Sequence, residues 1–317
     1  MHLRSTAAAA TAAAALLGLS SAASAQFLTS ITRPAALGPF PPNMNTVDVF
    51  LTLGDGTDTF IYNPENLPST AAGFGGLAAD EAGRRFFGTV RNGPDDDLYS
   101  VDYDTRTPTL IGEIAVNGDP QTFEGLAYDT LRDTLYGTRR LGGSTGIEGL
   151  YTIDLATAAA TLVFEYEAGS GTTSDFDISG IDYDPVTDRI YLADEDTTNG
   201  RNIYSFDPQN PSAGLLFVTE FGPGITDVDG LGAGDGKLFL LADREDANDG
   251  VHWQYDLATG LYSPYADTPY PLGAPSSLGP VNPSGGGAYA PGLAVPEPAT
   301  AGLGVMGLGL LLARRRR

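Results

Sequence analysis

Four stretches of this 317-residue chain repeat one pattern, and a self-similar period of about fifty residues restricts the fold more than any other feature. Each copy opens on glycine and apolar residues: Gly76-Leu77-Ala78-Ala79-Asp80, Gly125-Leu126-Ala127-Tyr128-Asp129, Gly180-Ile181-Asp182-Tyr183-Asp184 and the looser Gly230-Leu231-Gly232-Ala233-Gly234. A second strand-like run follows at Phe86–Thr89, Leu135–Thr138, Ile190–Ala193 and Leu238–Leu241. The third ends in aspartate, at Leu98–Asp102, Leu150–Asp154, Ile203–Asp207 and His252–Asp256. Weaker fourth strands fall at Leu110–Ile111, Leu162–Phe164, Leu215–Val218 and Leu261–Tyr262. The opening glycines lie 49, 55 and 50 residues apart, and no copy holds a sustained helical period. Four short strands per period describe a propeller blade.

The expected fold is therefore all-β, a β-propeller of five blades with four antiparallel strands each, four or six blades being the alternative closures. Val47–Leu53, Phe60–Tyr62 and a further strand within Gly285–Ala290 supply a fifth blade built from both ends of the chain. Such a composite blade removes the open sheet edges that would otherwise invite pairing with other chains. The 15 Tyr and 14 Phe suit strands. The repeat, over residues 76 to 265, resembles the YVTN and NHL-type propeller families, a likeness that implies fold rather than activity.

The two ends read as addresses. Residues 1–25 place Arg4 before an apolar stretch from Ala7 to Leu19, with Ala23 and Ala25 ahead of Gln26, which is a signal-peptide pattern. Residues 26–46 form a Pro-rich lead-in, and residues 47–292 the propeller domain. In residues 293–317, Pro296-Glu297-Pro298 precedes an apolar stretch from Ala299 to Ala313 and the cluster Arg314-Arg315-Arg316-Arg317. That order resembles the PEP-CTERM sorting signal. The resemblance implies an exosortase, a membrane protease and transpeptidase, as processing partner, with the short C-terminal transmembrane helix holding the chain at the inner membrane before processing. It further implies a final place at the cell surface or outside the cell, in company with exopolysaccharide or another envelope component. The Pro/Gly/Ser-rich stretch from Pro269 to Pro298 reads as final coil and stalk.

Charge sets the limits on partners. The formal net charge is −23, and setting aside Arg4, Glu297 and Arg314 to Arg317 takes it to −27. Such a field repels phosphate backbones, so nucleic acid is excluded as a partner. Many of the aspartates have structural work to do. Asp102, Asp154 and Asp256 each begin an Asp-x-x-Thr turn, and Asp80, Asp129 and Asp184 end first strands.

The remaining acids fall on loops that a propeller gathers at one face, between second and third strands and ahead of first strands. The entering loops carry Glu124, Asp175, Asp177, Asp227 and Asp229. The other loops carry Asp95, Asp96, Asp97, Asp194, Glu195, Asp196, Asp243, Glu245, Asp246 and Asp249, with Arg91, Arg139, Arg140 and Arg244 among them. Clustered hard oxygen ligands suit calcium, with Glu124, Asp177 and Asp229 as its candidate metal ligands. No segment completes an EF-hand loop, and no other cofactor is read from the sequence.

Several chemistries lack their parts. The chain has no Cys, and His252 is the one histidine outside the signal segment, so thiolate and His-rich metal sites are excluded. No Gly-x-Ser-x-Gly elbow accompanies His252. The reading that remains is an exported, non-enzymatic binding or structural propeller linked to exopolysaccharide or biofilm. Its alternative is a calcium-dependent hydrolase or lactonase using the carboxylates at the central channel.

Overall fold

The structure is a computed structural model, and it describes residues 26–32, 47–53, 58–62, 74–92, 94–139, 146–166, 176–196, 200–225, 228–242, 252–266 and 287–290. Three strands, β1 (Gln26–Thr32), β2 (Val47–Leu53) and β3 (Asp58–Tyr62), come first. The first repeat copy forms β4 (Phe74–Asp80), β5 (Arg85–Asn92), β6 (Asp95–Asp102) and β7 (Pro108–Glu113). A short hairpin, β8 (Ala115–Val116) and β9 (Asp119–Pro120), leads into the second copy. That copy folds as β10 (Gly125–Asp129), β11 (Thr134–Arg139), β12 (Gly149–Ile153) and β13 (Ala159–Glu165). The third gives β14 (Ile178–Asp184), β15 (Arg189–Asp194), β16 (Asn202–Phe206) and β17 (Leu215–Glu220). The fourth gives β18 (Val228–Gly234), β19 (Lys237–Ala242), β20 (His252–Asp256) and β21 (Leu261–Ala266), and β22 (Gly287–Tyr289) follows.

These strands make five sheets. Four are contiguous blades, one per repeat copy, and the fifth has the order β22-β1-β2-β3. The last strand among the described residues is thus the innermost strand of a sheet whose other members come from nearer the N-terminus. The innermost strands contact one another in a closed circuit: β4 with β10, β10 with β14, β14 with β18, β18 with β22, and β22 with β4. A propeller has formed, and the composite sheet closes it.

Alternation along each strand explains how the ring coheres. Successive side chains of a strand point to opposite faces, so a blade held between two neighbours must be apolar on both. In β14 and β15, Ile181, Tyr183, Ile190 and Leu192 pack with Ala127, Tyr136 and Leu150 of the second blade. Tyr191 and Ala193 point the other way, to Val228, Leu231 and Leu238 of the fourth. Phe87 and Ala78 meet Phe123 and Leu126 between the first two blades, while Leu77 and Phe86 face Ala288 and Ala290 of the closing strand. Phe239 stacks on Tyr289, their ring centroids 5.5 Å apart, to complete the circuit. Each fully buried Phe or Leu of these layers is worth about 1.5–3 kcal/mol relative to exposure.

The repeated glycine has a steric cause. At the centre of the ring, innermost strands approach backbone to backbone. A Cβ on Gly76 would lie 2.9 Å from the Glu124 carbonyl oxygen, and one on Gly180 would lie 2.9 Å from the Leu231 nitrogen. A Cβ on Gly125 would collide with the Ser179 carbonyl oxygen.

One feature departs from the sequence reading. Gln26–Thr32, inside the segment read as a lead-in, is the second strand of the closing sheet, paired with β2 and with β22. Its sequence QFLTSIT carries neither the Gly opening nor the terminal Asp that marked the copies. Gly287–Tyr289 is the strand expected within Gly285–Ala290, with Ala288 buried, so the coil-and-stalk reading of residues 269–298 does not hold across it.

Candidate functional site

The Asp-x-x-Thr turns behave as their residue types require. Asp102 Oδ1 accepts the N–H of Thr105 at 2.7 Å and its hydroxyl at 2.8 Å, and Asp154 with Thr157 and Asp256 with Thr259 repeat the arrangement. These bonds to the charged form hold all three carboxyls below their usual range. The first-strand aspartates cap the next turn: Asp80 accepts Gly83 N–H, Asp129 accepts Leu131 and Arg132 N–H, and Asp184 accepts Val186 and Thr187 N–H.

The opposite face brings loop acids and entering loops together, but in a structural role. Asp96 is buried, and its Oδ2 accepts the N–H of Phe123, in the loop entering the next blade, at 2.7 Å. Burial pushes its carboxyl up to about 6. Glu195 does the same two blades later: its Oε1 accepts the Val228 N–H at 2.7 Å and the Ser179 hydroxyl at 2.8 Å. Asp194, fully buried, turns back on its own blade, and its Oδ1 accepts N–H groups of Asp177 and Asp196 at 2.9 and 3.1 Å. Burial raises its carboxyl as well, while its other oxygen finds no hydrogen-bond partner among the described residues. Asp96, in β6 rather than on a loop, and Glu195, just after β15, therefore hold backbone of the next blade, while Asp194, the last residue of β15, braces the entrance to its own.

Of the other sequence-derived candidates, Glu124 and Asp177 are half-buried in entering loops, as expected. Asp95 is half-buried, and Asp97 is buried and accepts an Asn92 amide N–H at 2.9 Å. Arg91 is exposed, donating to the Thr122 hydroxyl at 3.1 Å and lying 3.9 Å from Asp96. Asp229 belongs to β18, its side chain lying outside the described residues. Asp175, Asp227, Asp243, Glu245, Asp246, Asp249, Arg140 and Arg244 fall outside them altogether. Among the described residues no three carboxylate or imidazole groups come together in a way that could hold a metal ion.

Arg139 takes a position the sequence did not indicate. Its guanidinium is buried, donating to the Gln121 side-chain oxygen and to the Ile147 carbonyl, in the wall of a cavity of about 600 Å³. The β8–β9 hairpin creates this recess by pairing β8, in parallel, with the outer strand β13. Asn117, Asp119, Tyr151 and Thr161 also line it. The signal available in the sequence was Asn117-Gly118, a turn dipeptide whose residues here adopt φ of 55° and 85°.

Asp182 is the other buried group outside the sequence-derived set. Its Oδ2 accepts two backbone N–H groups, Ala233 at 2.8 Å and Tyr289 at 2.7 Å, so one carboxylate on β14 binds the innermost strands of two other blades. Burial raises this carboxyl well above the usual range, against the opposing effect of its three N–H donors.

With the closing strand ending at Tyr289, the C-terminal segment follows the domain almost directly, and comparison settles its nature. Residues 294–317 match the PEP-CTERM protein-sorting motif. The PEP-CTERM segment makes this an exported protein, anchored to the membrane at its C-terminus before processing by an exosortase. No helix among the described residues is long and apolar enough to cross a membrane. No curated protein matches the sequence. Among solved structures, TolB from Acinetobacter baumannii is similar at 16% identity and a TM-score of 0.50, over 80% of this chain and 55% of TolB. A chain of a nidogen/laminin complex is similar at 11% identity and a TM-score of 0.50, over 84% of this chain and 98% of that one. The chain thus spans about half the length of TolB, and at these identities both likenesses concern the fold.

Proposed function

We propose that this chain is a non-enzymatic propeller carried to the cell surface, where it binds or organises exopolysaccharide or another envelope polymer. The observation that carries the reading is the use made of the loop acids. Asp96 and Glu195 are bonded to backbone of the next blade, as joints of the ring, Asp194 braces its own blade, and their oxygens support architecture rather than turnover. The recess beside Arg139 offers a concavity of ligand size on the rigid second blade.

The test uses protein released by cells that process it. Co-sedimentation with exopolysaccharide from those cells, against an unrelated neutral polymer, should retain the propeller on the former. A screen of ester, lactone and glycoside substrates, with and without millimolar calcium, should show no turnover. Turnover abolished by Glu124→Ala or Asp177→Ala with melting temperature unchanged would overturn the reading in favour of a hydrolase.

A further inference from the structure

We propose that, while anchored, the propeller sits with one defined face against the membrane: the face made by the hairpins β4–β5, β10–β11, β14–β15 and β18–β19. The acidic loop face then points away. The argument begins with strand direction. β22 is antiparallel to β1, with Phe27 opposite Tyr289. The Tyr289 hydroxyl donates to Asp235 in the β18–β19 turn, and Gly287 packs near Gly230, at the other end of β18. The chain therefore leaves β22 on the hairpin face. Gln26 and Phe27 begin β1 at the same edge, one strand spacing away. The points where the two membrane-directed segments join the domain, Gln26 and the end of β22, lie side by side on that face.

Length makes this placement restrictive. Five residues separate Ala290, which is fully buried, from Pro296. Six backbone steps span about 20 Å at full extension. A seven-residue strand such as β14 is itself about 23 Å long, so the loop face lies roughly twice as far from the anchoring point as the hairpin face.

The surface agrees with the topology. The three most exposed large apolar side chains among the described residues are Val186 at 73%, Leu261 at 67% and Leu131 at 62%. Leu131 and Val186 occupy the β10–β11 and β14–β15 turns, and Leu261 opens β21 just after the β20–β21 turn, all on the hairpin face. Arg84 and Arg132 stand at the same end of their blades, each ion-paired with aspartates of that face, Asp104 for the first and Asp129 and Asp188 for the second, and Lys237 opens β19 there. Apolar tips among ion-paired side chains can rest in a lipid headgroup layer, with the short tether rather than net positive charge holding them there.

This inference rests on the anchoring of residues 299–313, and the experiment separates the two. The chain lacks Cys, so single cysteines can be placed in the full-length protein and labelled with a fluorophore: Val186→Cys and Leu131→Cys on the hairpin face, Pro223→Cys on the loop face. The unprocessed protein is reconstituted in phosphatidylcholine–phosphatidylglycerol vesicles containing lipids with a nitroxide on the headgroup. Labels at 186 and 131 should lose most of their emission while the label at 223 keeps it. A flexible insertion of about forty residues after Gly292, with a mean span of about 35 Å, should abolish the difference. Equal quenching at all three sites, or stronger quenching at 223, overturns the orientation while leaving anchoring intact. Recovery of the protein outside the vesicle fraction overturns anchoring and the orientation with it.

Discussion

The Asp182 carboxylate and the Tyr289 backbone N–H, 107 residues apart in sequence, meet at 2.7 Å in the middle of the ring. The same oxygen holds Ala233, so Asp182→Ala would leave two buried N–H groups without their acceptor. Each orphaned buried donor costs about 1–3 kcal/mol. Denaturant unfolding of Asp182→Ala should show a loss of about 2–5 kcal/mol. The amides of Ala233 and Tyr289 should lose hydrogen-exchange protection ahead of the outer strands.

Asp96 gives the protein a specific pH dependence. Its folded carboxyl titrates at about 6 against an ordinary 3.8, so the folded state binds the proton more tightly than the unfolded state. The resulting stabilisation is complete below pH 3.8 and is lost as pH rises to 6, an effect of about 3 kcal/mol at most. Asp96→Asn keeps an oxygen for the Phe123 N–H and removes the titration. The difference in melting temperature between wild type and Asp96→Asn should therefore favour wild type progressively more as pH falls from 6 to 4. A pH-independent difference would contradict this assignment.

Glycines separate into two classes that substitution should expose. In Gly125→Ala the new methyl meets the Ser179 carbonyl oxygen of the next blade, and two sheets must part. A destabilisation of about 3 kcal/mol or more is expected, in line with overpacked cores. Gly118→Ala has open space around it and a φ of 85°, so it should cost only the left-handed penalty of about 1–2 kcal/mol. Parallel thermal melts check the ordering.

Arg132 ties the second blade to the third. It donates to both oxygens of Asp188 at 2.7 Å and to Asp129 of its own turn, and Asp188 also accepts from the Tyr183 hydroxyl. The guanidinium holds the Asp188 carboxyl well below the usual range. The pair is partly solvated, so Arg132→Ala should cost about 1–2 kcal/mol rather than the value of a buried ion pair. Arg132→Lys should recover less than half, because an ammonium cannot reproduce the two-pronged contact. Urea midpoints of the three proteins decide it.

What the sequence disclosed and what it withheld follow one physical division. The contiguous blades were legible because each must carry glycine where backbones touch and apolar residues on both faces, and Gly76, Gly125 and Gly180 recur for that reason. β1 was not, since the second strand of a blade needs only alternation, and QFLTSIT stands beside a presumed cleavage point without other markers. Of the acids assigned to loops, Asp96 and Glu195 have as partners backbone amides of the neighbouring blade, and Asp194 has those of its own. Pairings of that kind, such as Glu195 with Val228, depend on three-dimensional register and leave no local pattern. Asp182 was overlooked for the same reason: within Ile181-Asp182-Tyr183 it reads as an ordinary strand residue.

The position of β22 has a temporal meaning. A ribosome delivers this strand after every other described strand, so the circle can shut only once the chain up to Ala290 has been made and translocated, and a product truncated near residue 280 would present an unsealed fourth blade. Cutting at Pro296–Pro298, by contrast, falls beyond the buried Ala290 and would release a wheel that is already locked. Detachment from the membrane and integrity of the domain are thereby separate events, ordered by half a dozen residues of chain.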